Sequence, residues 1–442
     1  MQPQPLAIGC LGSHLLRRPV LAQVNLPYPG RDIKLDISGA LPTEVISPTP
    51  VTCPDDPQAL IKKALSRPIG SETLDRLASP RSQVAIIVDD ITRETPAHLA
   101  IPLILEALHA KGVAPSQICF VLALGTHRPM TPPEIQAKLG PRAAQKYQVV
   151  NDPCTNLENM VYMGTSPLGI PFWVHKAVAR ADLRIGLGMI CPHLDAGYGG
   201  GAKIILPGAS GAETISCFHQ RMTKLTENQL GKTDALLRRD LEDTVQSLAP
   251  LNFIVNLILD QEGEVHQCVT GDPILAHRQG IKYTNQVYCP LAQSRHPLVL
   301  VDAEPHHLDF WQATKGLASG EMLTEDQGSL ILLADCAEGM GGHPLLADYI
   351  GLGLEPLLTR IEKQLVEDQV AAPEAVFICR LAKRIRLCLV SRGIPSALAQ
   401  KINFTWYENP EQAISAESMR FKNPSLGIIT HGGNLVPQVN PE

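Results

Sequence analysis

The sequence predicts two α/β domains with mainly parallel sheets and an active-site cleft between them, and three observations carry that expectation. Short runs rich in Val, Ile and Leu alternate with stretches of helical periodicity, the pattern of βαβ units. The runs are continuously apolar, as strands of a parallel sheet covered on both faces must be. The chain has 442 residues, which at roughly 100–200 residues per domain gives two or three domains.

The expected strands lie at 84–88, 118–124, 183–190, 253–259, 297–301, 329–334, 375–378 and 387–390. Between the first two, Leu99, Pro102, Leu103, Leu105 and Leu108 give 96–110 the periodicity of an amphipathic helix, with Pro96 near its first turn. Residues 1–22 read as an N-terminal extension, 23–275 as a cofactor-binding α/β domain and 276–422 as a second α/β domain. The tail 423–442 contains a late apolar run at 426–430 that is expected to return to the first domain. The Pro-, Thr- and Ser-rich segment 42–57 reads as an irregular connection without function.

Composition excludes several classes. With 44% hydrophobic and 19% charged residues the chain is neither disordered nor fibrous. A net charge of −6 provides no basic field for nucleic acid or an anionic membrane, so a small molecule is the expected partner. Eleven cysteines, scattered singly without a C-x-x-C, fit reduced thiols in the cytoplasm better than a disulfide or zinc framework. The apolar run 5–16 is broken by Gly9 and Gly12 and precedes Arg17 and Arg18, the reverse of an export signal. No stretch reaches the roughly 18 consecutive apolar residues of a membrane span, and oligomeric state has no signature here.

In open α/β sheets ligands collect beyond the carboxyl ends of the strands. The run 84–88 leads into Asp89-Asp90-Ile91-Thr92-Arg93, and 118–124 into Gly125-Thr126-His127-Arg128-Pro129. Asp90 and Arg93 are also compatible with a helix cap and a surface ion pair, and His127 with a structural histidine. The run 183–190 leads into a stretch holding His193, then Gly197, Gly199, Gly200 and Gly201, then Lys203. Such glycines let backbone amides approach an anion. A P-loop needs Gly before the lysine and a hydroxyl after it, whereas Ala202 and Ile204 stand here. His219, after an expected helix at 212–218, either lines the same crevice or is structural. Farther on, Gln312 and Lys315 are three apart and share a helix face that either holds a carboxylate or meets solvent. The glycine run before His343 is a weak second anion nest, and His306-His307 lacks an H-E-x-x-H context for zinc.

Taken together, D-x-x-R-x-x-P, G-x-H-R-P, H-x-x-A-G-x-x-G-G-x-K-x-x-L-P-G, a histidine sixteen residues beyond the lysine, and W-Q-A-x-K-G resemble the nickel-pincer nucleotide lactate racemase family from about Val24 to the C-terminus. The resemblance implies a nicotinic-acid-derived mononucleotide bearing thiocarboxamide and thiocarboxylate groups and nickel, covalently attached to Lys203 and ligated through nickel to His219. It implies His127 and His193 as paired acid/base groups, Asp90 and Arg93 beside the cofactor, and Arg93, Gln312 and Lys315 on the substrate. Gly199, Gly200 and Gly201 are expected to bind the cofactor. Trp311 stands where that family has tyrosine, so the substrate wall differs. The expected activity is racemisation or epimerisation of a 2-hydroxy acid through a 2-keto acid, with cofactor-making enzymes as loading partners. The alternatives are an epimerase of a longer or polar hydroxy acid, either a sugar acid or a dicarboxylic one, and a non-catalytic nucleotide-binding regulatory protein.

Overall fold

The computed structural model describes residues 23–37 and 41–439; the expected extension 1–22 lies outside them. Among the described residues two six-stranded sheets form the frame. The first runs, edge to edge, Val265–Gly271, Phe253–Leu259, Leu183–Met189, Val84–Asp89, Ile118–Ala123 and Gln148–Val150. All its neighbours are parallel except the edge pair of Phe253–Leu259 with Val265–Gly271. Inner strands such as Val84–Asp89 and Phe253–Leu259 are buried along their whole length, and separate apolar clusters cover the two faces of the sheet. This explains the continuous apolar runs.

The second sheet is parallel throughout: Thr405–Tyr407, Arg386–Val390, Thr324–Leu333, His296–Asp302, Leu426–Ile429 and Thr43–Ile46. In the first sheet the chain builds outward from Val84–Asp89 on one side and then places Leu183–Met189 on the other. The connections therefore diverge at the ends of these two strands, opening a crevice where ligands collect.

Four expectations are corrected. Residues 375–378 belong to the helix Ala371–Arg384, whose buried Ala372, Ala375, Val376 and Cys379 recur at helical spacing. A four-residue apolar run does not distinguish a strand from a buried helix turn. The segment 42–57 supplies the edge strand Thr43–Ile46. The tail strand Leu426–Ile429 enters the second sheet, between His296–Asp302 and Thr43–Ile46, instead of returning to the first. The first-domain range 23–275 fails at both ends: Val24, Leu26 and Leu35 pack against Leu298 and Leu300 of the second sheet, and the boundary at 275/276 cuts the helix Leu275–Tyr288, whose Ala276 and Ile281 pack in the first core and Val287 and Tyr288 in the second. That one helix is shared by both cores. Among the described residues no helix is long and apolar enough to cross a membrane.

Candidate active site

The strand Val84–Asp89 delivers two adjacent carboxylates to the crevice, and each has a separate task. Asp89 accepts from Thr95 Oγ1 at 2.5 Å and from Lys138 Nζ at 3.1 Å. Lys138, buried on the helix Pro132–Leu139, also donates to the carbonyls of Arg93 and Thr95. It therefore fixes the turn that carries Asp90 and Arg93. Asp90 Oδ1 accepts from Thr92 N and Oγ1, and its Oδ2 lies 2.6 Å from His127 Nδ1. Burial alone would raise the Asp90 carboxyl, but His127 and Thr92 outweigh it and hold it below the usual carboxylate range.

With Nδ1–H donated to Asp90, the neutral His127 ring keeps its lone pair on Nε2. That nitrogen lies 3.3 Å from Gln312 Nε2 of the second domain. The turn bringing His127 there begins at Gly125, with φ +56° and its amide bonded to Gly208 O.

His193 presents the contrary arrangement. It lies in the short strand Pro192–His193 paired with Gly197–Tyr198, and its Nδ1 accepts the Asp195 backbone N–H at 3.2 Å. The neutral ring therefore carries its proton on Nε2. Burial, reinforced by repulsion from Lys203 and Arg93, holds its pKa well below the ordinary histidine value.

Lys203 follows in a single 3₁₀ turn, Gly201–Ile204. Burial and the Arg93 charge lower its amine to about 7, so a large fraction is neutral and nucleophilic at physiological pH. His219 lies inside the helix Ala212–Gln220, not after a helix ending at 218. Its Nδ1 donates to Ile215 O at 2.8 Å, leaving Nε2 unprotonated in a ring that burial lowers to about 4. This is the state a metal-binding imidazole needs.

One cleft is lined by Arg93, His127, His193, Lys203 and His219 from the first domain, and by Trp311, Gln312 and Lys315 from the second. Asp90, Gly199 and Gly200 line an adjoining cavity that shares Arg93, His127 and Lys203 with it. Gln312 is 4% exposed, which removes the reading of its helix face as solvated. Asp309 caps the helix Phe310–Leu323 by accepting from Gln312 N, and Lys315 Nζ donates to Gln312 Oε1 at 2.6 Å. Burial and Arg93 together lower the Lys315 amine well below its ordinary value. Trp311 packs on His343, ring centroids 4.1 Å apart and planes tilted by 34°, and His343 is held by Asp368 at 2.8 Å. The glycine run before His343 thus brings a support for the Trp311 wall into place.

The glycine stretch differs from the expected anion nest. The amide of Gly199 is bonded to Cys191 O and that of Gly201 to Asn256 Oδ1, so neither is free for an anion. The loop's carbonyls converge on the fully buried Arg238, which donates to Ala196, Tyr198, Gly199 and Gly200, while His277 Nε2 lies 2.7 Å from Gly199 O. The glycines are needed for close packing. A Cβ on Gly200, at φ +74°, would stand 2.8 Å from Ile190 and 2.9 Å from Met189 O. Gly201 packs on His277 and lines neither cavity.

Lys138, Arg238 and Asn256 were invisible to sequence reasoning because each acts through the backbone of a distant loop. Asp195 and Glu374 also line the cleft unforeseen. Asp195 stood in view inside the H-x-x-A-G stretch, whereas Glu374 lies on the helix misread as a strand.

Among the described residues no three His, Cys, Asp or Glu side chains converge as a metal cage. A nucleophilic lysine, a neutral imidazole and a second cavity beside them fit a tethered group that brings its own metal ligands.

Residues 28–231 match the lactate racemase N-terminal domain and residues 301–436 the lactate racemase C-terminal domain. A lactate racemase of Lactiplantibacillus plantarum is 31% identical over 296 residues, covering 65% of this chain and 68% of that one. A lactate racemase of Thermoanaerobacterium thermosaccharolyticum is 30% identical over 334 residues, covering 73% and 76%. The fold is that of the lactate racemase apoprotein from T. thermosaccharolyticum, with a TM-score of 0.85 at 24% identity over 94% of this chain and 100% of that one. A Thermotoga maritima protein is also similar in fold, with a TM-score of 0.67 at 19% identity over 88% of this chain and 100% of that one.

Proposed function

The chain belongs to the lactate racemase family and is an isomerase, and from that premise we propose that it inverts C2 of a 2-hydroxy acid by reversible oxidation to the planar 2-keto acid. Isomerase membership displaces the non-catalytic regulatory alternative. The proposed cofactor is the nickel-pincer nucleotide, with Lys203 as its covalent attachment and His219 as the protein's nickel ligand. When bound, such a group supplies a reversible hydride acceptor, which removes the need for a carbanion beside an ionised carboxylate.

The observation that carries the reading is the gathering of His127 with Asp90, His193, Lys203 and His219 in one cleft closed by Gln312 and Lys315. His127, with the lone pair of Nε2 turned toward the Gln312 amide across the cleft and its ring oriented by Asp90, accepts the substrate hydroxyl proton, and the ionised Asp90 stabilises the imidazolium. His193 serves the other enantiomer, whose hydroxyl occupies a different position. To act as a base it must move its proton from Nε2 to Nδ1, where Asp195 Oδ2, now 4.0 Å away, is the acceptor within reach. Arg93, Gln312 and Lys315 hold the substrate carboxylate through both half reactions, and the substrate's charge draws Lys315 back to its ammonium form. Trp311 walls the substrate side.

The glycine stretch contributes close approach of backbone to the cofactor at Gly199 and Gly200, with Asn256 and Arg238 fixing it. The unpaired thiols of the described cysteines support a cytoplasmic location, where the enzymes that make the cofactor would load it. The test is chiral chromatography of 2-hydroxy acids incubated with protein coexpressed with those enzymes. Interconversion of enantiomers or epimers is expected, and its absence from protein carrying the full covalent adduct would overturn the proposal.

A further inference from the structure

Two carboxylates in the cleft each have an oxygen that the chemistry described above does not use. Asp195, 9% exposed, and Glu374, 5% exposed, both line it. Asp195 Oδ1 and Glu374 Oε1 are buried without a hydrogen-bond partner. A buried, unsatisfied carboxylate oxygen is costly and marks a place where a donor belongs.

The simplest alternative is that these groups neutralise Arg93, Lys203 and Lys315. Among the described residues, however, the only ion-pair contact of either is that of Asp195 with His193 at 4.0 Å. Tethering through Lys203 would also remove one of the cations, leaving the carboxylates less compensated than before.

Their surroundings specify the donor. Burial, with repulsion from Asp195, raises the Glu374 carboxyl, and burial raises that of Asp195. Two buried carboxyl groups that resist ionising together hold a proton readily, and a pair holding one proton presents both an acceptor and a donor. A third carboxylate would meet Asp195 as a like charge, and an ammonium would enter a cleft already holding the Arg93 guanidinium. A hydroxyl meets no such opposition and satisfies both groups. Beyond Asp195 a further cavity carries Glu227, Asn228 and Glu321 as well as Arg380 and Arg384, whose guanidiniums are already engaged, the first by the carbonyls of Thr223 and Leu225 and the second by Glu321 and Asp326.

We infer that Asp195 and Glu374 form a subsite for the hydroxylated tail of a polyhydroxy acid, so that the substrate class is a 2-hydroxy acid bearing further hydroxyls and not a dicarboxylic one. This rests on the proposed 2-hydroxy acid chemistry of the same cleft, and it is tested by affinity so that the two can fail separately.

Calorimetric titration of the cofactor-loaded protein at pH 7 compares threonate, 2-hydroxybutanoate and malate, which share a four-carbon skeleton. Threonate is expected to bind at least ~10-fold more tightly than 2-hydroxybutanoate, as a hydrogen bond to a charged acceptor provides, and malate more weakly than threonate. Glu374→Gln, which keeps a donor and an acceptor, is expected to preserve the threonate preference, whereas Glu374→Leu is expected to cut it about fivefold or more. Equal affinities for threonate and 2-hydroxybutanoate, malate binding more tightly than threonate, or a Glu374→Leu protein with native circular dichroism and an unchanged ratio would each overturn the subsite. Parallel chiral analysis reports separately on the reaction. Threonate preference without inversion of any hydroxy acid retains the subsite and removes the racemase reading, whereas inversion without the preference does the reverse.

Discussion

His127 and His193 share one cleft yet occupy contrasting surroundings. The His127 side chain is 28% exposed and gives its Nδ1 proton to a carboxylate 2.6 Å away. The His193 side chain is 10% exposed, accepts a backbone N–H at the equivalent nitrogen, and is held well below the ordinary histidine value by burial with repulsion from Lys203 and Arg93. The difference teaches that the partner of Nδ1 determines which ring nitrogen faces the substrate as a base. The first site is ready to accept a proton, whereas the second requires a change of tautomer. An analogous contrast separates the two nitrogen groups proposed for the cofactor. In the proposed roles Lys203 would act as a nucleophile because burial lowers its amine, and His219 as a ligand because Ile215 O fixes its other nitrogen.

The largest expected effect sharpens the second contrast. Lys203→Ala should abolish the covalent mass adduct and with it the nickel, while His219→Ala should keep at least part of the adduct and bind nickel poorly. Intact-protein mass spectrometry with metal analysis reads both, and an adduct surviving in Lys203→Ala would remove the tether assignment.

The next effect tests the histidine contrast. Asp90→Asn replaces the carboxylate that orients His127 Nδ1 and stabilises its imidazolium by a neutral amide, so kcat should fall by ~10²–10⁴-fold, the range of a general acid–base group. Asp195→Asn leaves the backbone partner of His193 in place and should lower kcat on the same substrate by less than about tenfold, a smaller loss because no direct hydrogen bond is removed. Steady-state kinetics from each enantiomer compare them. Equal losses would mean that the two surroundings are functionally alike.

A smaller effect concerns the opposite wall of the cleft. Lys315→Ala removes a charge-assisted contact to the substrate carboxylate and should raise KM by ~10-fold to ~100-fold, as the loss of ~1.5–3 kcal/mol requires. A KM unchanged in a folded variant would separate Lys315 from substrate binding.

The smallest effect is on stability. The folded Lys203 amine is lowered to about 7 from 10.5, so between these values the unfolded chain binds more protons and stability rises with pH. His219, lowered to about 4 from 6.5, behaves in the same sense: its contribution is full above about 6.5 and is lost as pH falls toward 4. Scanning calorimetry of the cofactor-free protein should therefore show a change in Tm from pH 7 to 10 that is less favourable in Lys203→Met than in the unsubstituted protein. Identical pH profiles for the two proteins would contradict the lowered amine.

The sequence alone determined the parts of this protein that depend on local pattern. Continuous apolar runs specified the inner strands at Val84–Asp89, Ile118–Ala123, Leu183–Met189 and Phe253–Leu259, because burial on both faces leaves no room for polar alternation. Their carboxyl ends marked Asp90, His127 and His193, since parallel strands point their ends to one side. What depends on distant contacts stayed hidden. Residues 375–378 are too few to reveal a period, and Leu426–Ile429 gave no sign of which sheet would receive it. Only the tertiary structure decided that the amides of Gly199 and Gly201 are occupied, because their partners Cys191 and Asn256 come from other strands and turns. It likewise decided the proton positions on His127 and His193, which follow from Asp90 and the Asp195 amide. Only packing leaves Asp195 Oδ1 and Glu374 Oε1 unpartnered in the cleft, since a residue's type supplies its charge and its neighbours determine whether that charge is satisfied.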